Sequence, residues 1–159
     1  MIYWFTGQPG AGKTVLSTKL KEHLKDNEKI FHVDGDDLRD VFGNKNYNKD
    51  GRIENIIRAQ NISKYLSHQG HTVIVSLVSP YLELRESFKK DMGIDIIEIY
   101  VHTKDVRGRE HFHTDEYQKP ETNYIDLDTT GKKVLQSLDE LLNKIKLYEF
   151  RKQGLPNKI

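Results

Sequence analysis

The sequence predicts an α/β fold in which a mostly parallel β-sheet carries helices on both faces. Short apolar runs alternate with amphipathic stretches along the 159 residues, a pattern typical of a parallel sheet wrapped by helices. A glycine-rich segment at residues 7–14 directly follows the first apolar run, as in a turn between a strand and a helix. The length suits one domain, so residues 1–159 are predicted to form a single domain.

The elements follow one another in a regular order. Apolar, β-prone runs predict four strands, at residues 2–6, 29–33, 72–78 and 95–101. Apolar residues at helical spacing predict helices at residues 13–24, 52–67 and 83–92, and a long helix after residue 128. The polar connections are an acidic turn at residues 34–37, a solvated loop at 43–51 and an irregular segment at 103–124.

Composition excludes several classes of protein. Hydrophobic residues make up 36% of the chain, and 25 basic residues nearly balance 24 acidic ones, which argues against disorder and against a bulk nucleic-acid or membrane partner. The absence of cysteine excludes disulfides, thiolate metal sites and a cysteine nucleophile. No apolar run reaches the length of a membrane span, and the apolar N-terminus lacks a basic leader and a cleavage site, so we expect a cytoplasmic protein.

The segment Gly7-Gln8-Pro9-Gly10-Ala11-Gly12-Lys13-Thr14 matches the P-loop pattern, in which two glycines five apart precede Lys and Ser or Thr. Glycines let the backbone wrap closely round a phosphate, and the following helix presents its positive end to the anion. Lys13 would reach the β- and γ-phosphates and would face solvent without nucleotide, while Thr14 can ligate Mg²⁺. The sequence therefore predicts ATP and Mg²⁺, with the phosphates bound by Gly7, Gly10, Ala11, Gly12, Lys13 and Thr14.

Acidic residues follow the second predicted strand, where ligands bind in open parallel sheets. Carboxylates such as Asp34 and Asp36 can accept a hydroxyl proton there or hold Mg²⁺ through water. The plain alternative is a helix cap with solvated acids, with Asp37 as the N-cap. Arg39 could hold an anionic substrate in a bidentate contact, or be a surface arginine.

Four motifs together resemble the adenylylsulfate kinase family, whose members phosphorylate the 3′-hydroxyl of adenosine 5′-phosphosulfate with MgATP. They lie at residues 7–14, 34–39, 52–58 and 76–81. The resemblance runs from residue 2 to about residue 103, and resumes weakly at 117–120 and 128–130.

The resemblance implies a role for each matching residue. Asp34 and Asp36 would form the catalytic acidic pair together with Lys13, and Thr14 and Asp36 would serve Mg²⁺. The residues implied to bind the acceptor nucleotide are Arg39, Phe42, Arg52, Asn55 and Ser79, with Phe42 stacking on its base. Asn55 could instead be helix surface, and Ser79 could cap the helix after Pro80.

The sequence departs from the family between residues 101 and 117. Family members carry a longer lid there with a Phe-Thr-Gly motif, which this chain lacks. Arg107 or Arg109 could still stack on the ATP base and contact its phosphates. His111 and His113 are expected to be surface residues and not metal ligands, because no strong third ligand accompanies them.

Three functions follow from these observations. The first is phosphorylation of adenylylsulfate, a small-molecule nucleotide. Such an enzyme could be a homodimer, and we expect no membrane partner. The second is a kinase of the same fold that phosphorylates a hydroxyl of another substrate, such as a modified nucleotide, a sugar or a hydroxymethylated base in DNA. Only this alternative involves nucleic acid, which the loop at residues 44–49 could contact. The third is a nucleotide-binding module without kinase activity, which the second carboxylate at the acceptor side argues against.

Overall fold

A five-stranded parallel β-sheet forms the centre of the computed structural model, which describes residues 1–25 and 29–153. The strands are β1 (Ile2–Thr6), β2 (Ile30–Asp34), β3 (Thr72–Ser76), β4 (Ile96–His102) and β5 (Tyr124–Asp128), in the spatial order β2-β3-β1-β4-β5. The helices are α1 (Lys13–Leu24), α2 (Gly35–Phe42), α3 (Lys49–His68), α4 (Leu82–Met92) and α5 (Val134–Gln153). All neighbouring strands are parallel, which confirms the predicted α/β fold.

Both faces of the sheet are covered, because alternate residues of β1 enter opposite cores. Tyr3 and Phe5 pack in one cluster with α1 and α5, whereas Ile2 and Trp4 pack in the other with α2, α3 and α4. A strand buried on both faces reads as a continuous apolar run, which is why β1, β3 and β4 were recognisable in the sequence.

Strand β5 was not predicted, because the sequence reading placed an irregular segment before residue 124 and a helix after residue 128. Only Ile125 and Leu127 of this strand point into the core, and acidic residues alternate with them. Aspartate is uncommon in strands, so a short edge strand of this composition resembles a loop in sequence.

The acidic turn at residues 34–37 begins α2, a helix that is absent from the predicted elements but agrees with the alternative of a helix cap at this turn. The carboxylate of Asp34 accepts a hydrogen bond from the backbone N–H of Asp36 at 2.9 Å, so Asp34 caps this helix. The prediction that Asp37 is the N-cap was therefore wrong.

Helix α3 begins at Lys49, three residues earlier than predicted, because Asn48 caps it by accepting from the N–H of Gly51 at 3.0 Å. A Cβ on Gly51 would lie 2.1 Å from the carbonyl oxygen of Asn46, so a larger residue could not be accommodated without backbone movement. The loop before this helix is not solvated throughout, because Asn44 is 7% exposed and donates to the carbonyl of Gly51 at 2.9 Å.

The carboxyl ends of the three adjacent strands β2, β3 and β1 bring Asp34, Ser76 and Thr6 to one edge of the sheet. This edge is where open parallel sheets bind ligands. Within residues 1–25 and 29–153, no helix is long and apolar enough to cross a membrane.

Candidate active site

The loop between β1 and α1 depends on backbone conformations that favour glycine. Gly7, Gly10 and Gly12 have φ angles of +145°, +83° and +105°. A Cβ on Gly7 would lie 2.1 Å from the carbonyl oxygen of Val101 in β4. The loop, which also contains the buried Ala11, leads directly into the N-terminus of α1, whose N–H groups and positive end favour a phosphate group.

Lys13 begins α1 and turns back over this loop. Its Nζ donates to the carbonyl oxygen of Gln8 at 2.9 Å, and only 8% of the residue is exposed, so the expectation of a solvent-facing lysine was wrong. Burial lowers the pKa of Lys13 to about 8, although the carboxylates of Asp34 and Asp36 act in the opposite direction. Among the residues that the structure describes, the ammonium donates only to the carbonyl of Gln8, so it has further hydrogens to offer to phosphate oxygens.

Thr14 is joined to the end of β2 by a closed ring of hydrogen bonds. Its Oγ1 donates to Oδ2 of Asp34 at 3.1 Å, and Oγ of Ser76 donates to the same oxygen at 2.7 Å. Nε2 of His32 lies 2.9 Å from Oγ of Ser76 and 3.0 Å from Oγ of Ser17, which in turn donates to the carbonyl of Thr14 at 2.9 Å. Each serine hydroxyl donates its one hydrogen within the ring, so the tautomer that fits carries its hydrogen on Nε2 and shares this single N–H between the two serine oxygens.

This Asp34 ring, formed by Thr14, Ser17, His32, Asp34 and Ser76, fixes the carboxylate between the P-loop and β3. Sequence reasoning missed the serines and the histidine. The register of the parallel strands β2 and β3 would have predicted one of these contacts, because Asp34 pairs directly with Ser76. Burial lowers the pKa of His32, so its imidazole is neutral at neutral pH.

The two acidic residues assigned to catalysis have different surroundings. Asp34 is half-buried and bonded to Thr14, whereas Asp36 is exposed and its carboxylate makes no hydrogen bond within the part of the chain that the structure describes. The charge of Asp36, like that of Asp34, partly offsets the lowering of the Lys13 pKa by burial. The structure thus joins Thr14 to Asp34 by a hydrogen bond, and the assignment of Thr14 and Asp36 to Mg²⁺ stays a prediction.

The segment between β4 and β5 lies on the P-loop. Nη1 of Arg107 donates to the carbonyl oxygen of Ala11 at 3.2 Å and approaches that of Gly10 at 3.4 Å. The side chain of Gln8 donates to the carbonyl of Thr114 at 2.8 Å and accepts from its N–H at 3.1 Å. We call residues 103–117 the lid segment, because they cover the phosphate loop despite their short length.

Three further residues of the lid segment were singled out in the sequence. Cβ of Arg109 would lie 2.9 Å from a Cβ placed on Gly10, so Arg109 packs directly above the loop. His113 approaches the carbonyl oxygen of Pro9 at 3.0 Å, and the ring of His111 lies against Phe112. Among the described residues, no group of three or more His, Cys, Asp or Glu side chains could hold a metal ion.

Arg39 serves the loop before α3 and is not directed at the acidic turn. Its Nη1 donates to the carbonyl of Asn46 at 2.8 Å and to both side-chain and backbone oxygens of Asn44, at 3.2 and 3.3 Å. The guanidinium also stacks on Tyr47, 4.2 Å from the ring centroid, and the residue is buried. The structure therefore shows that Arg39 is not a surface arginine and that it stabilises its own loop, and the anion contact stays a prediction.

Two predicted acceptor residues carry buried polar atoms without a partner. Asn55 of α3 donates to the carbonyl of Gly35 at 3.1 Å, but its Oδ1 makes no hydrogen bond within the described residues. Ser79 has a left-handed φ of 45°, and its buried Oγ is likewise without a described partner. Buried polar atoms are rarely left unpaired, so both are suited to a ligand. Phe42 is exposed and stacks on Arg58, 4.6 Å away.

Arg52 lies among residues from two other segments. Its Nη1 donates to Oγ1 of Thr114 at 2.8 Å and lies 3.6 Å from Oε2 of Glu116. The hydroxyl of Tyr81 donates to the same carboxylate oxygen at 2.8 Å. Desolvation raises the pKa of Tyr81, the bond to Glu116 adds to this rise, and Arg52 opposes it. Sequence reasoning did not single out Glu116 or Thr114, because the fold alone brings them to Arg52.

Known proteins of similar sequence were found for most of the chain. The model of the adenylylsulphate kinase family matches residues 1–132. The cytidine diphosphoramidate kinase of Campylobacter jejuni is 32% identical over 132 residues, covering 80% of this chain and 77% of that protein. A probable adenylyl-sulfate kinase of Aeropyrum pernix is 30% identical over 169 residues and covers 92% of both chains.

Solved structures show the same fold. The Mycobacterium tuberculosis APS kinase CysC in complex with AMPPNP and APS superposes with a TM-score of 0.77 at 24% identity, covering 91% of this chain and 96% of that one. A gluconokinase from Sinorhizobium meliloti gives a TM-score of 0.66 at 15% identity, with 97% of both chains covered. With a buried P-loop lysine, a fixed carboxylate beside it and a family match over residues 1–132, the chain belongs to the adenylylsulphate kinase family and is an ATP-dependent kinase.

Proposed function

We propose that this kinase transfers the γ-phosphoryl group of ATP to the 3′-hydroxyl of a nucleotide whose 5′-phosphate carries a further acidic group. Adenylylsulfate is the first candidate, and a cytoplasmic role in sulfate assimilation would follow from it. The observation that carries the proposal is the position of residues 34–36, because Asp34 accepts from Thr14 of the P-loop and Asn55 of α3 donates to the carbonyl of Gly35. A carboxylate pair placed between a phosphate site and polar side chains of a second segment suits transfer of a phosphoryl group to an acceptor hydroxyl.

On the ATP side, the glycine backbone and Lys13 bind the phosphates. The N–H groups at the start of α1 point toward the anion, and the Lys13 ammonium neutralises charge that develops as the γ-phosphoryl group moves. Arg107 already contacts the loop carbonyls, and Arg109 packs above Gly10, so both are placed to meet the nucleotide.

Oxygen ligands suited to Mg²⁺ are present at the same place. The hydroxyl of Thr14 and the carboxylate of Asp34 lie 3.1 Å apart, and hard oxygen donors of this kind are what Mg²⁺ prefers. Thr14 and Asp34 would hold the ion, directly or through water, and Asp36 could serve it from the exposed side. Bound there, the ion would neutralise phosphate charge.

On the acceptor side, Asp36 is placed to accept the proton of the attacking hydroxyl, because its carboxylate makes no hydrogen bond within the described residues. A bond forms between the hydroxyl oxygen and the γ-phosphorus, the bond from the γ-phosphorus to the bridging oxygen breaks, and ADP leaves. Arg52, Asn55 and Ser79 offer polar atoms to the nucleotide, and the exposed ring of Phe42 offers a stacking surface for its base.

A second candidate acceptor is cytidine diphosphoramidate. It is favoured by the similarity to the Campylobacter jejuni kinase, which is named for that substrate, and by a lid segment without Phe-Thr-Gly. The two candidates share a ribose hydroxyl and a two-unit 5′ chain, so the same catalytic groups would serve either. A homodimer remains an expectation.

The proposal is tested by measuring ADP formation from MgATP with each acceptor, with phosphorus NMR to locate the new phosphate. We expect either acceptor to stimulate ADP formation and to gain a phosphate on the 3′-oxygen. The 3′-deoxy analogue of each acceptor is the control and should give no product. A failure of both acceptors to accept phosphate would contradict the proposed substrate class.

A further inference from the structure

Three segments converge on the carboxylate of Glu116. Tyr81, which precedes α4, donates to its Oε2 at 2.8 Å, and Nη1 of Arg52 in α3 lies 3.6 Å from the same oxygen. Thr114 of the lid segment joins the group, because its Oγ1 accepts from Nη1 of Arg52 at 2.8 Å and from the N–H of Glu116 at 3.3 Å. An arginine implied to bind the acceptor nucleotide therefore already faces a carboxylate.

The position of Glu116 is fixed relative to the P-loop. Thr114 exchanges two hydrogen bonds with the side chain of Gln8, at 2.8 and 3.1 Å, so the cluster is tied to the phosphate loop. The Glu116 side chain is 50% exposed, and within the described residues its Oε1 accepts no hydrogen bond. The cluster thus presents a carboxylate oxygen, held in place and available, beside an arginine.

This oxygen changes which chemical groups Arg52 can bind. The terminal sulfate of adenylylsulfate offers only oxygen acceptors, so it would place negative charge against Glu116 or have to displace it from Arg52. A terminal phosphoramidate has anionic oxygens for the remaining N–H donors of Arg52 and an amine that can donate to Oε1 of Glu116. Sites built to bond a substrate N–H discriminate strongly against analogues that lack it.

Resting on the proposed function, we propose that Glu116 selects acceptors whose 5′ chain ends in a phosphoramidate over those whose chain ends in a sulfate. The selection acts on the terminal group and is independent of the base. It would make the short lid segment a specificity element, since this segment contributes both Glu116 and Thr114.

A matched pair of ligands isolates the terminal group. Adenylylsulfate and adenosine 5′-diphosphoramidate share base, ribose and chain length, and differ chiefly in carrying sulfate or phosphoramidate at the end. We would measure their dissociation constants by calorimetry in the presence of ADP, for the wild type, Glu116→Gln and Glu121→Gln. Glu121 is an exposed residue outside the cluster and undergoes the same change of charge.

We expect the wild type to bind the phosphoramidate roughly 10- to 150-fold more tightly, the range of a charge-assisted hydrogen bond. Glu116→Gln should lose most of this preference, chiefly by binding the sulfate better, and Glu121→Gln should keep it. Equal binding of the two ligands, an unchanged ratio in Glu116→Gln, or no binding of either ligand would overturn the inference. Turnover is measured separately: a binding preference that depends on Glu116 without phosphoryl transfer would support the inference while contradicting the proposed function.

Discussion

The ATP side and the acceptor side of this site are built in different ways. The proposed ATP side is one continuous segment, residues 7–14, which would contact phosphate mainly through backbone N–H groups and one lysine. The acceptor side is assembled from the ends of β2 and β3, the first turns of α3 and the lid segment, and it depends on side chains.

This difference determines how each side can be changed. A backbone site fixed by glycine conformations has few acceptable alternatives, because a Cβ on Gly7 would overlap a neighbouring strand. A side-chain site can acquire a new residue, such as Glu116, without disturbing the fold around it. We therefore expect proteins of this architecture to share phosphoryl transfer from ATP and to differ in the acceptor that they phosphorylate.

The largest effect should come from the ATP side. Lys13→Ala should lower turnover by roughly 10²- to 10³-fold or more, the loss expected when a group that stabilises transition-state charge is removed. The measurement is ADP release at saturating ATP. Lys19→Ala is the control, because Lys19 lies on the same helix and forms an exposed pair with Glu22. Near-normal turnover by a folded Lys13→Ala protein would contradict the P-loop assignment.

The acidic residues test the boundary between the two sides. Asp34→Asn and Asp36→Asn should each lower turnover by roughly 10²-fold, the scale of general-base and charge-positioning effects. Asparagine can still cap α2 at position 34, so the helix should remain intact and ATP affinity should change less than rate. Asp37→Asn is the control, since Asp37 is exposed on the same helix. Turnover at the wild-type rate in all three variants would mean that the acidic turn only caps the helix.

The same contrast explains how much the sequence could predict. The P-loop and the acidic pair lie in short contiguous motifs, so their positions followed from local pattern alone. The Asp34 ring did not, because His32, Ser17 and Ser76 meet only through strand register and helix packing. Arg39 shows what a motif alone cannot predict. The residue occupies the position that the motif predicts, but its guanidinium donates to the carbonyl of Asn46 in the neighbouring loop.

Arg39 and Arg52 offer a matched pair of variants within the acceptor side. Arg39→Ala removes a buried guanidinium with several hydrogen bonds, so it should reduce the free energy of unfolding by about 3 kcal/mol and lower Tm by roughly 6–12 °C. Arg52→Ala should leave Tm nearly unchanged and raise KM for the acceptor roughly 10- to 150-fold. Thermal unfolding and steady-state kinetics measure both variants. An Arg39→Ala protein with an unchanged Tm and a raised acceptor KM would show that Arg39 binds the substrate.

The smallest predicted effect is a dependence of ADP affinity on pH that acceptor affinity does not share. Burial lowers the pKa of Lys13 to about 8 in the free protein, and phosphate oxygens would favour its charged form again. Binding of ADP at pH 8 should therefore take up about half a proton, and ADP affinity should fall by up to about tenfold per pH unit above pH 8. Acceptor binding should not follow this trend, because Lys13 is not among the residues assigned to the acceptor. Calorimetry of ADP binding at pH 8 in buffers of different ionisation enthalpy measures the uptake, and Lys13→Met is the control that should show none. Observed heats that do not depend on the buffer in the wild type would mean that Lys13 does not change its protonation state when the nucleotide binds.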